Sequence, residues 1–281
     1  MAKDISTLIE DIENLVAEGF KPDPEAVKEF GEQLGRSAMA SFAPRTKETY
    51  LRMSNIGVPD RKLWYSINAP ELGEDLSPST IIKFAYGHIL EDLLLFLAHT
   101  AGHEVVGMQS DMEVLGIKGH RDAVIDGMLV DSKSASSYSF KKFKEHRLEE
   151  DDAFGYIPQL NAYLKASQDD PLLTVKDKFA FLVIDKTLGH VCLDVHERKD
   201  VDIEAIIEHK KRMLGGPLPP RCYPDEPDGK SGNRKLGAGC SYCPFKQSCW
   251  PGLQVYHYSN GPRYLTQVAK EPRVEKADAK F

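Results

Sequence analysis

The stretch GHRDAVIDGMLVDSK, residues 119–133, contains two short apolar runs that are separated by Asp126 and Gly127. An Asp-Gly pair between apolar runs is typical of a tight β-hairpin turn, so we expect two adjacent antiparallel strands. Asp122 precedes the first run, and Asp131 follows the second. Carboxylates on neighbouring strands can share one divalent cation, which prefers oxygen ligands. The hairpin therefore predicts an acidic cation site.

Lys133 follows Asp131 by two residues, so a strand places both side chains on the same face. An ammonium group beside hard oxygen ligands suits the hydrolysis of a phosphodiester. The alternative is an exposed hairpin whose charges are only solvated, and Asp-x-Lys alone would favour it because such tripeptides are common. Further polar residues before and after the hairpin favour a cation site over an exposed, solvated hairpin.

A long helix is predicted before the hairpin, from Pro78 to about Thr100. Glu91 lies in its middle, and apolar residues surround much of the helix, so we expect this carboxylate to point inward. After the hairpin, Gln159 and Tyr163 are four residues apart and share one face of a predicted helix. A core position is the alternative for Tyr163.

In these motifs the chain resembles the PD-(D/E)XK nuclease superfamily over about residues 77–251. It is most similar to the RecB-like branch, with its CRISPR-associated adaptation exonucleases and phage recombination exonucleases. The resemblance implies an α/β fold with a restriction-endonuclease-like mixed β-sheet core that is flanked by helices. It also implies a Mg²⁺- or Mn²⁺-dependent deoxyribonuclease with these site residues: Glu91, Asp122, Asp131, Lys133, Gln159 and Tyr163.

The expected metal ligands are Glu91, Asp122, Asp131 and the carbonyl of Ser132, with Glu91 preferred over His88 as the third acid. The resemblance suggests an exonuclease in DNA recombination, repair or phage DNA processing. Its expected partner is DNA, single-stranded or with free ends. An endonuclease of the same fold and a non-catalytic DNA-binding module remain the alternatives.

Clustered cysteines give a second signal near the carboxy terminus. Cys240, Cys243 and Cys249 are spaced C-x2-C-x5-C, and Cys222 lies upstream. In a cytosolic chain such clustering argues for metal binding rather than for disulfides. Four thiolates can hold a zinc ion or an iron–sulfur cluster. The RecB-like resemblance favours a [4Fe-4S] cluster, with Zn²⁺ as the alternative.

The cysteine pattern departs from the family at one point. Iron–sulfur members usually take their first cysteine from a segment before the nuclease core, whereas no cysteine precedes Cys192 here. Cys192 lies in a predicted strand and is expected to be a core residue. Cys222 is the candidate for the fourth ligand, and His257 is a weaker candidate.

The composition is that of a globular protein with an acidic balance. The 281 residues include 36 Lys and Arg against 43 Asp and Glu, for a net charge of −7, and 41% are hydrophobic. An acidic chain is not an obvious nucleic-acid binder, since phosphate neutralisation needs cations. Basic residues nevertheless cluster at 141–147 and 209–212 and alternate with aromatics between 45 and 65. The segments 141–147 and 209–212 could follow a DNA backbone or form solvated faces, and a solvated face is favoured for 209–212. The segment between 45 and 65 could bind a strand of nucleic acid, and a packed, partly exposed connector is its alternative.

Four regions are expected along the chain. They are an N-terminal helical region (1–76), a nuclease core (77–215), a cysteine-rich metal or iron–sulfur region (216–265) and a disordered tail (266–281). The amino terminus resembles no signal peptide, and no apolar run is long enough to span a bilayer. We therefore expect a cytoplasmic protein without membrane contact, or one in the host cytoplasm if it is viral.

Periodicity and turn signals predict further helices and strands. Besides the elements above, helices are predicted at 5–17, 24–42 and 202–214. Strands are predicted at 104–106, 112–117, 121–125, 128–133, 178–184 and 190–195. Alternating helices and strands of this kind suit a mixed sheet between helices.

Overall fold

A computed structural model describes residues 3–44, 49–152 and 154–277. Contacts divide the chain into two compact units. The first unit contains Met1–Arg45, Arg52–Gly57 and Pro78–Ile207. The second contains Thr46–Leu51, Val58–Ser77 and Glu208–Phe281. Both units are discontinuous in sequence, unlike the contiguous regions expected above.

A mixed β-sheet forms the centre of the first unit. In the described part of the chain its strand order is β1 (Val105–Val106), β4 (Ala123–Ile125), β5 (Met128–Ala135), β6 (Lys178–Asp185) and β7 (Val191–Glu197). Strands β5 and β6 are parallel, and the other neighbours are antiparallel. A separate hairpin consists of β2 (Asp111–Val114) and β3 (Ile117–His120).

Helices flank this sheet, as the sequence predicted. Those of the first unit are α1 (Leu8–Glu18), α2 (Pro24–Phe42), α4 (Pro78–Thr100), α5 (Ser137–Lys144) and α6 (Tyr156–Ala166), and α7 (Ile203–Leu214) follows β7. Helices α1 and α4 bury leucines against Ile125, Val130 and Leu182 of the strands. Full burial of one such side chain contributes about 1.5–3 kcal/mol. No described helix combines the length and apolar character needed to cross a membrane.

The hairpin of β4 and β5 confirms the turn that the sequence predicted. Asp126 and Gly127 have φ angles of 48° and 78°, as expected for the primed turns that fit strand twist. A Cβ atom on Gly127 would lie 1.9 Å from the Thr174 side chain, so a larger residue would not fit. Glycine here satisfies the turn and the packing together.

A second hairpin was not predicted. The single strand expected at 112–117 is instead divided between β2 and β3, with a turn at Leu115 and Gly116. Leu115 has a φ of 49° and Gly116 a φ of 75°. Leucine rarely adopts a positive φ, so an apolar residue at this position favours a continuous strand and gives no turn signal.

The second unit contains an antiparallel sheet that the sequence did not predict. Its described strands run in the order β12 (Lys276–Ala277), β10 (Gln254–Tyr258), β11 (Gly261–Gln267), β9 (Arg234–Leu236) and β8 (Asp225–Pro227). Its helices include α3 (Asp60–Asn68) and the short α8 (Ala238–Ser241) and α9 (Lys246–Cys249).

The tail was expected to be disordered from residue 266. In its described part, Gln267 ends β11, and Lys276 and Ala277 pair with β10. Strand β12 is held by backbone hydrogen bonds to β10 and has few apolar side chains. It therefore shows no hydrophobic pattern in the sequence.

Helix α3 packs against the chain that follows residue 208. The Lys210 ammonium lies 2.6 Å from an Asp60 carboxylate oxygen, and the Trp64 indole donates a hydrogen bond to the Gly216 carbonyl at 3.0 Å. His209 also lies 2.9 Å from Asp60. Part of the basic segment 209–212 is thus engaged within the second unit. Of the other predicted DNA-tracking residues, Arg45 and Lys47 lie outside the described residues.

Candidate active site

Strand β5 brings Asp131 and Lys133 together, as their spacing predicted. Asp131 is only 3% exposed, and its Oδ2 contacts the Lys133 ammonium. The Lys133 Nζ also lies 3.4 Å from the Ser132 carbonyl oxygen. Burial would lower the pKa of Lys133, but the charges of Asp131 and Asp122 outweigh it and raise that pKa. Lys133 therefore remains protonated at neutral pH.

Asp122 lies directly before β4 and faces β5. Its Oδ2 accepts a hydrogen bond from the Ser132 amide at 2.8 Å. Burial, with the neighbouring charge of Asp131, raises the pKa of Asp122 to about 8, and Glu91 adds to this rise. Burial also raises the pKa of Asp131, against the effect of Lys133. The site thus holds more negative charge than one lysine neutralises.

Helix α4 supplies the third carboxylate. The charge of Glu91 is among the smaller causes of the pKa shifts of Asp122, Asp131 and Lys133, so Glu91 lies near these residues. A Cβ atom on Gly87 would lie 3.4 Å from the Ser134 Oγ, so glycine at this position lets the helix approach β5 closely.

His88 remains a neighbour of this acid. Its Nδ1 lies 3.5 Å from the Glu91 Oε2, and the resulting hydrogen bond raises the pKa of His88.

Helix α6 brings Gln159 and Tyr163 to the edge of the site. The Gln159 Nε2 donates a hydrogen bond to the Tyr163 hydroxyl at 3.2 Å. The Tyr163 ring is buried, which fits the core alternative. Burial, together with the charge of Asp131 close by, raises the pKa of the Tyr163 hydroxyl to about 12.

Two aromatic residues at the site were missed by the sequence analysis. The Lys133 Nζ lies 5.2 Å from the ring centroid of Tyr156, within the range of a cation–π contact. Phe154 stacks on Tyr156 at 5.5 Å and is 57% exposed. The sequence did contain a signal for Tyr156, because this residue lies one helical turn before Gln159 and so on the same helix face.

Arg121 was also missed as a contributor to the site. It is almost fully buried beside Asp122, with its Nη1 2.5 Å from the Asp170 Oδ2 and its Nε donating to the Gly107 carbonyl at 3.1 Å. The backbone amide of Gln109 donates a hydrogen bond to the backbone carbonyl of Asp122 at 3.2 Å. These contacts fix the backbone that carries Asp122.

The cysteines of the second unit are neighbours in space. Burial raises the pKa of Cys240 to about 11, and the charges of Cys243, Cys249 and Cys222 add to the rise. Cys243 and Cys249 pack against the aromatic cluster around Tyr65. All four are free thiols.

Cys192 and His257 both lie on strands. Cys192 is buried in β7 of the first unit, as expected for a core residue. His257 lies on β10.

Neither cluster is a closed metal shell as it stands. In the described part of the chain, no three His, Cys, Asp or Glu side chains converge closely enough to hold a metal ion. The donor chemistry nevertheless fits two different groups. The carboxylates are hard oxygen donors with excess negative charge, which suits Mg²⁺ or Mn²⁺. The thiols suit zinc or an iron–sulfur cluster.

No family model matches the chain, and no curated protein matches it. Several solved structures show some likeness, and three of them are compared with the chain as follows. The crystal structure of SSO0001 shares 18% identity over 79% of this chain and 96% of its own, with a TM-score of 0.43. An alkaline exonuclease from Laribacter hongkongensis shares 15% over 60% of this chain and 88% of its own, with a TM-score of 0.41.

The third is a phage-related exonuclease from Haemophilus somnus 129PT. It shares 12% identity over 76% of this chain and 91% of its own, with a TM-score of 0.28. These values are too low to establish a shared fold, so the function has to be inferred from the site itself.

Proposed function

We propose that the protein is a metal-dependent nuclease that hydrolyses DNA phosphodiester bonds, and that it acts as an exonuclease. The observation that carries this proposal is the buried Asp131 beside the partly buried Asp122 and Lys133, with Glu91 of α4 nearby. Carboxylates with an adjacent ammonium suit hydrolysis of an anionic ester, because charge builds on the phosphate during the reaction.

Glu91, Asp122, Asp131 and the Ser132 carbonyl would hold one or two Mg²⁺ or Mn²⁺ ions. A bound ion would supply a nucleophile at neutral pH and neutralise charge on the phosphate. Lys133 would stabilise the developing phosphate charge through its ammonium, which Tyr156 and Asp131 keep in place.

Gln159 and Tyr163 would orient the DNA, because their mutually bonded polar ends lie beside the acids. Their hydrogen bond holds the two side chains in one arrangement. Substrate oxygens, which accept hydrogen bonds, could then meet the remaining N–H of Gln159 and the O–H of Tyr163 in fixed positions.

Exposed aromatic residues of the first unit support DNA with unpaired ends as the substrate. Tyr138 of α5 is 77% exposed, and the Lys142 ammonium, which also pairs with Asp151, lies 5.4 Å from its ring centroid. Phe154 offers a second exposed ring. Bases of a single strand stack on such rings while cations meet its phosphates. By the resemblance of its motifs, such an enzyme would serve DNA recombination, repair or phage DNA processing.

The proposal is tested with end-labelled linear and closed circular single-stranded DNA, each with and without Mn²⁺. Loss of the linear substrate alone, and only with Mn²⁺, is the expected result for an exonuclease. Loss of both substrates would identify an endonuclease instead. If neither substrate is degraded and the protein still binds DNA measurably, the result would favour the non-catalytic binding module.

We also propose that Cys222, Cys240, Cys243 and Cys249 hold a [4Fe-4S] cluster, with Zn²⁺ as the alternative. The mutual effect of their charges supports a shared ligand set that includes Cys222. These cysteines belong to the second unit, so the bound group would stabilise that unit.

Changing Cys243 to serine is expected to remove the bound iron or zinc and to lower the unfolding temperature of the protein. The physical reason is that three thiolates hold the group less tightly than four, and metal binding contributes free energy to folding. Metal content and visible absorbance of protein purified without oxygen measure the loss. Cys192→Ala is the control that retains the metal. Wild-type protein without iron or zinc would contradict the proposal.

Replacing Arg121 with glutamine is expected to lower kcat for cleavage by about 10- to 100-fold, because a small displacement of a catalytic group is costly. Loss of the contacts with Asp170 and Gly107 should also lower the unfolding free energy by about 1–3 kcal/mol. Initial rates and urea unfolding measure both effects. Arg36→Gln, on the exposed surface of α2, is the control. A stability loss with unchanged kcat would show that Arg121 has no positioning role.

A further inference from the structure

A cavity lies beside the candidate active site in the first unit. Its volume is ≈ 410 Å³, and it is lined by Lys83, Tyr86, Ile89 and Leu90 of α4 and by Lys186 after β6. The catalytic residues described above do not line it. Its walls are largely carbon, and Lys83 and Lys186 are the charged residues among those that line it.

The cavity adjoins the end of the strand that carries Lys133. The Lys186 amide donates a hydrogen bond to the Ala135 carbonyl at 3.0 Å. Gly87 of α4 lies against Ser134. Ser134 and Ala135 are the two residues that follow Lys133, so the backbone at the cavity is about 7 Å along the strand from Lys133.

The lysines of the cavity are not neutralised by acids. Within the described residues, neither Lys83 nor Lys186 makes an ion pair. Asp185 precedes Lys186 but is buried, and it accepts hydrogen bonds from the Ser137 hydroxyl at 3.1 Å and the Thr187 amide at 2.8 Å. In a chain with a net charge of −7, two cations beside one cavity favour an anionic ligand.

The apolar side chains of the cavity indicate the chemistry of the uncharged part of that ligand. Tyr86 is 55% exposed, and Ile89 also presents apolar surface to solvent. An aromatic ring beside aliphatic side chains suits the flat face of a nucleobase, whatever its sequence. Phosphates on both sides of the base would meet the two lysines.

We propose that this cavity binds one unpaired nucleotide of the DNA strand, next to the bond that is cleaved. The base packs on Tyr86 and Ile89, and the flanking phosphates pair with Lys83 and Lys186. A base inside a duplex is stacked on both sides and cannot enter, so the cavity selects single strands. This inference rests on the proposed nuclease function and names the form of its substrate.

The lysines are tested through the salt dependence of cleavage of a linear single strand with Mn²⁺. In the double variant Lys83→Gln/Lys186→Gln, the slope of log(1/KM) against log salt should become shallower by about 1.4, or about 0.7 per lost phosphate contact. The kcat should stay unchanged, because these contacts serve binding.

Lys178→Gln is the matched control, since Lys178 begins β6 and Lys186 follows its other end, about 25 Å away. Its slope should equal that of the wild type. An unchanged slope in the double variant, or a loss confined to kcat, would overturn the proposal.

The base contact is tested by two changes at Tyr86. Tyr86→Ala should raise KM for a single strand by about 5- to 100-fold, because stacking on the ring is lost. Tyr86→Phe keeps the ring and should resemble the wild type. A blunt duplex should show no difference between the variants.

Equal KM values for single strands in Tyr86→Ala and the wild type would overturn the cavity proposal alone. Wild-type protein that does not cleave DNA would instead overturn the proposed nuclease function, and the cavity proposal with it. The two failures are therefore distinguishable.

Discussion

Replacement of Asp131 by asparagine is expected to lower the rate of DNA cleavage by about 10³-fold or more. Asparagine keeps the shape of the side chain but removes a charge from the set that would hold the divalent ion. The ion would contribute several kcal/mol to the stability of the transition state, and each 1.4 kcal/mol is about tenfold in rate. Single-turnover cleavage of an end-labelled single strand with Mn²⁺ measures the effect.

The control for this change is Asp111→Asn, because Asp111 lies on β2 with its side chain 92% exposed. This variant should cleave at the wild-type rate. Circular dichroism should show that Asp131→Asn retains the fold, since the substitution is nearly isosteric. Wild-type activity in Asp131→Asn would show that Asp131 is not a catalytic residue.

Replacement of Lys133 by methionine is expected to reduce both activity and stability. Asp131 would keep its buried carboxylate without a cation, and breaking a buried pair in this way costs about 3–5 kcal/mol. Loss of a charge that stabilises the transition state should lower kcat by about 10²- to 10³-fold. Urea unfolding in EDTA and initial cleavage rates measure the two effects.

Added Mn²⁺ should restore part of the lost stability in Lys133→Met, because a bound cation replaces the missing charge. Lys133→Arg should retain more stability than activity, since it keeps the charge but changes its shape and position. Equal stability of Lys133→Met and the wild type in EDTA would contradict the role given to this ion pair.

Local signals in the sequence predicted the part of the fold that carries the acids. The Asp126-Gly127 turn determined the hairpin, and the two-residue period placed Asp131 and Lys133 on one face. The bounds of α2 and α4 agree with the sequence because each helix has proline at its start. These features depend on neighbours along the chain and so can be inferred without tertiary contacts.

Features that depend on distant residues could not be predicted. Arg121 is buried because Asp170, 49 residues away, pairs with it, and arginine is ordinarily expected at the surface. The assignment of α3 to the second unit depends on contacts such as that of Asp60 with Lys210, 150 residues away. Strands β8 to β12 are mostly short and polar, so they lack a clear alternation of apolar residues.

The central claim is that Glu91, Asp122 and Asp131 together hold a divalent cation for DNA cleavage. Calorimetric titration of Mn²⁺ into wild-type protein and into Asp131→Asn tests it most directly. We predict saturable binding of one or two ions to the wild type and at least about tenfold weaker binding to the variant, which corresponds to about 1.4 kcal/mol. Equal affinity in both proteins, or no binding to the wild type, would contradict the account.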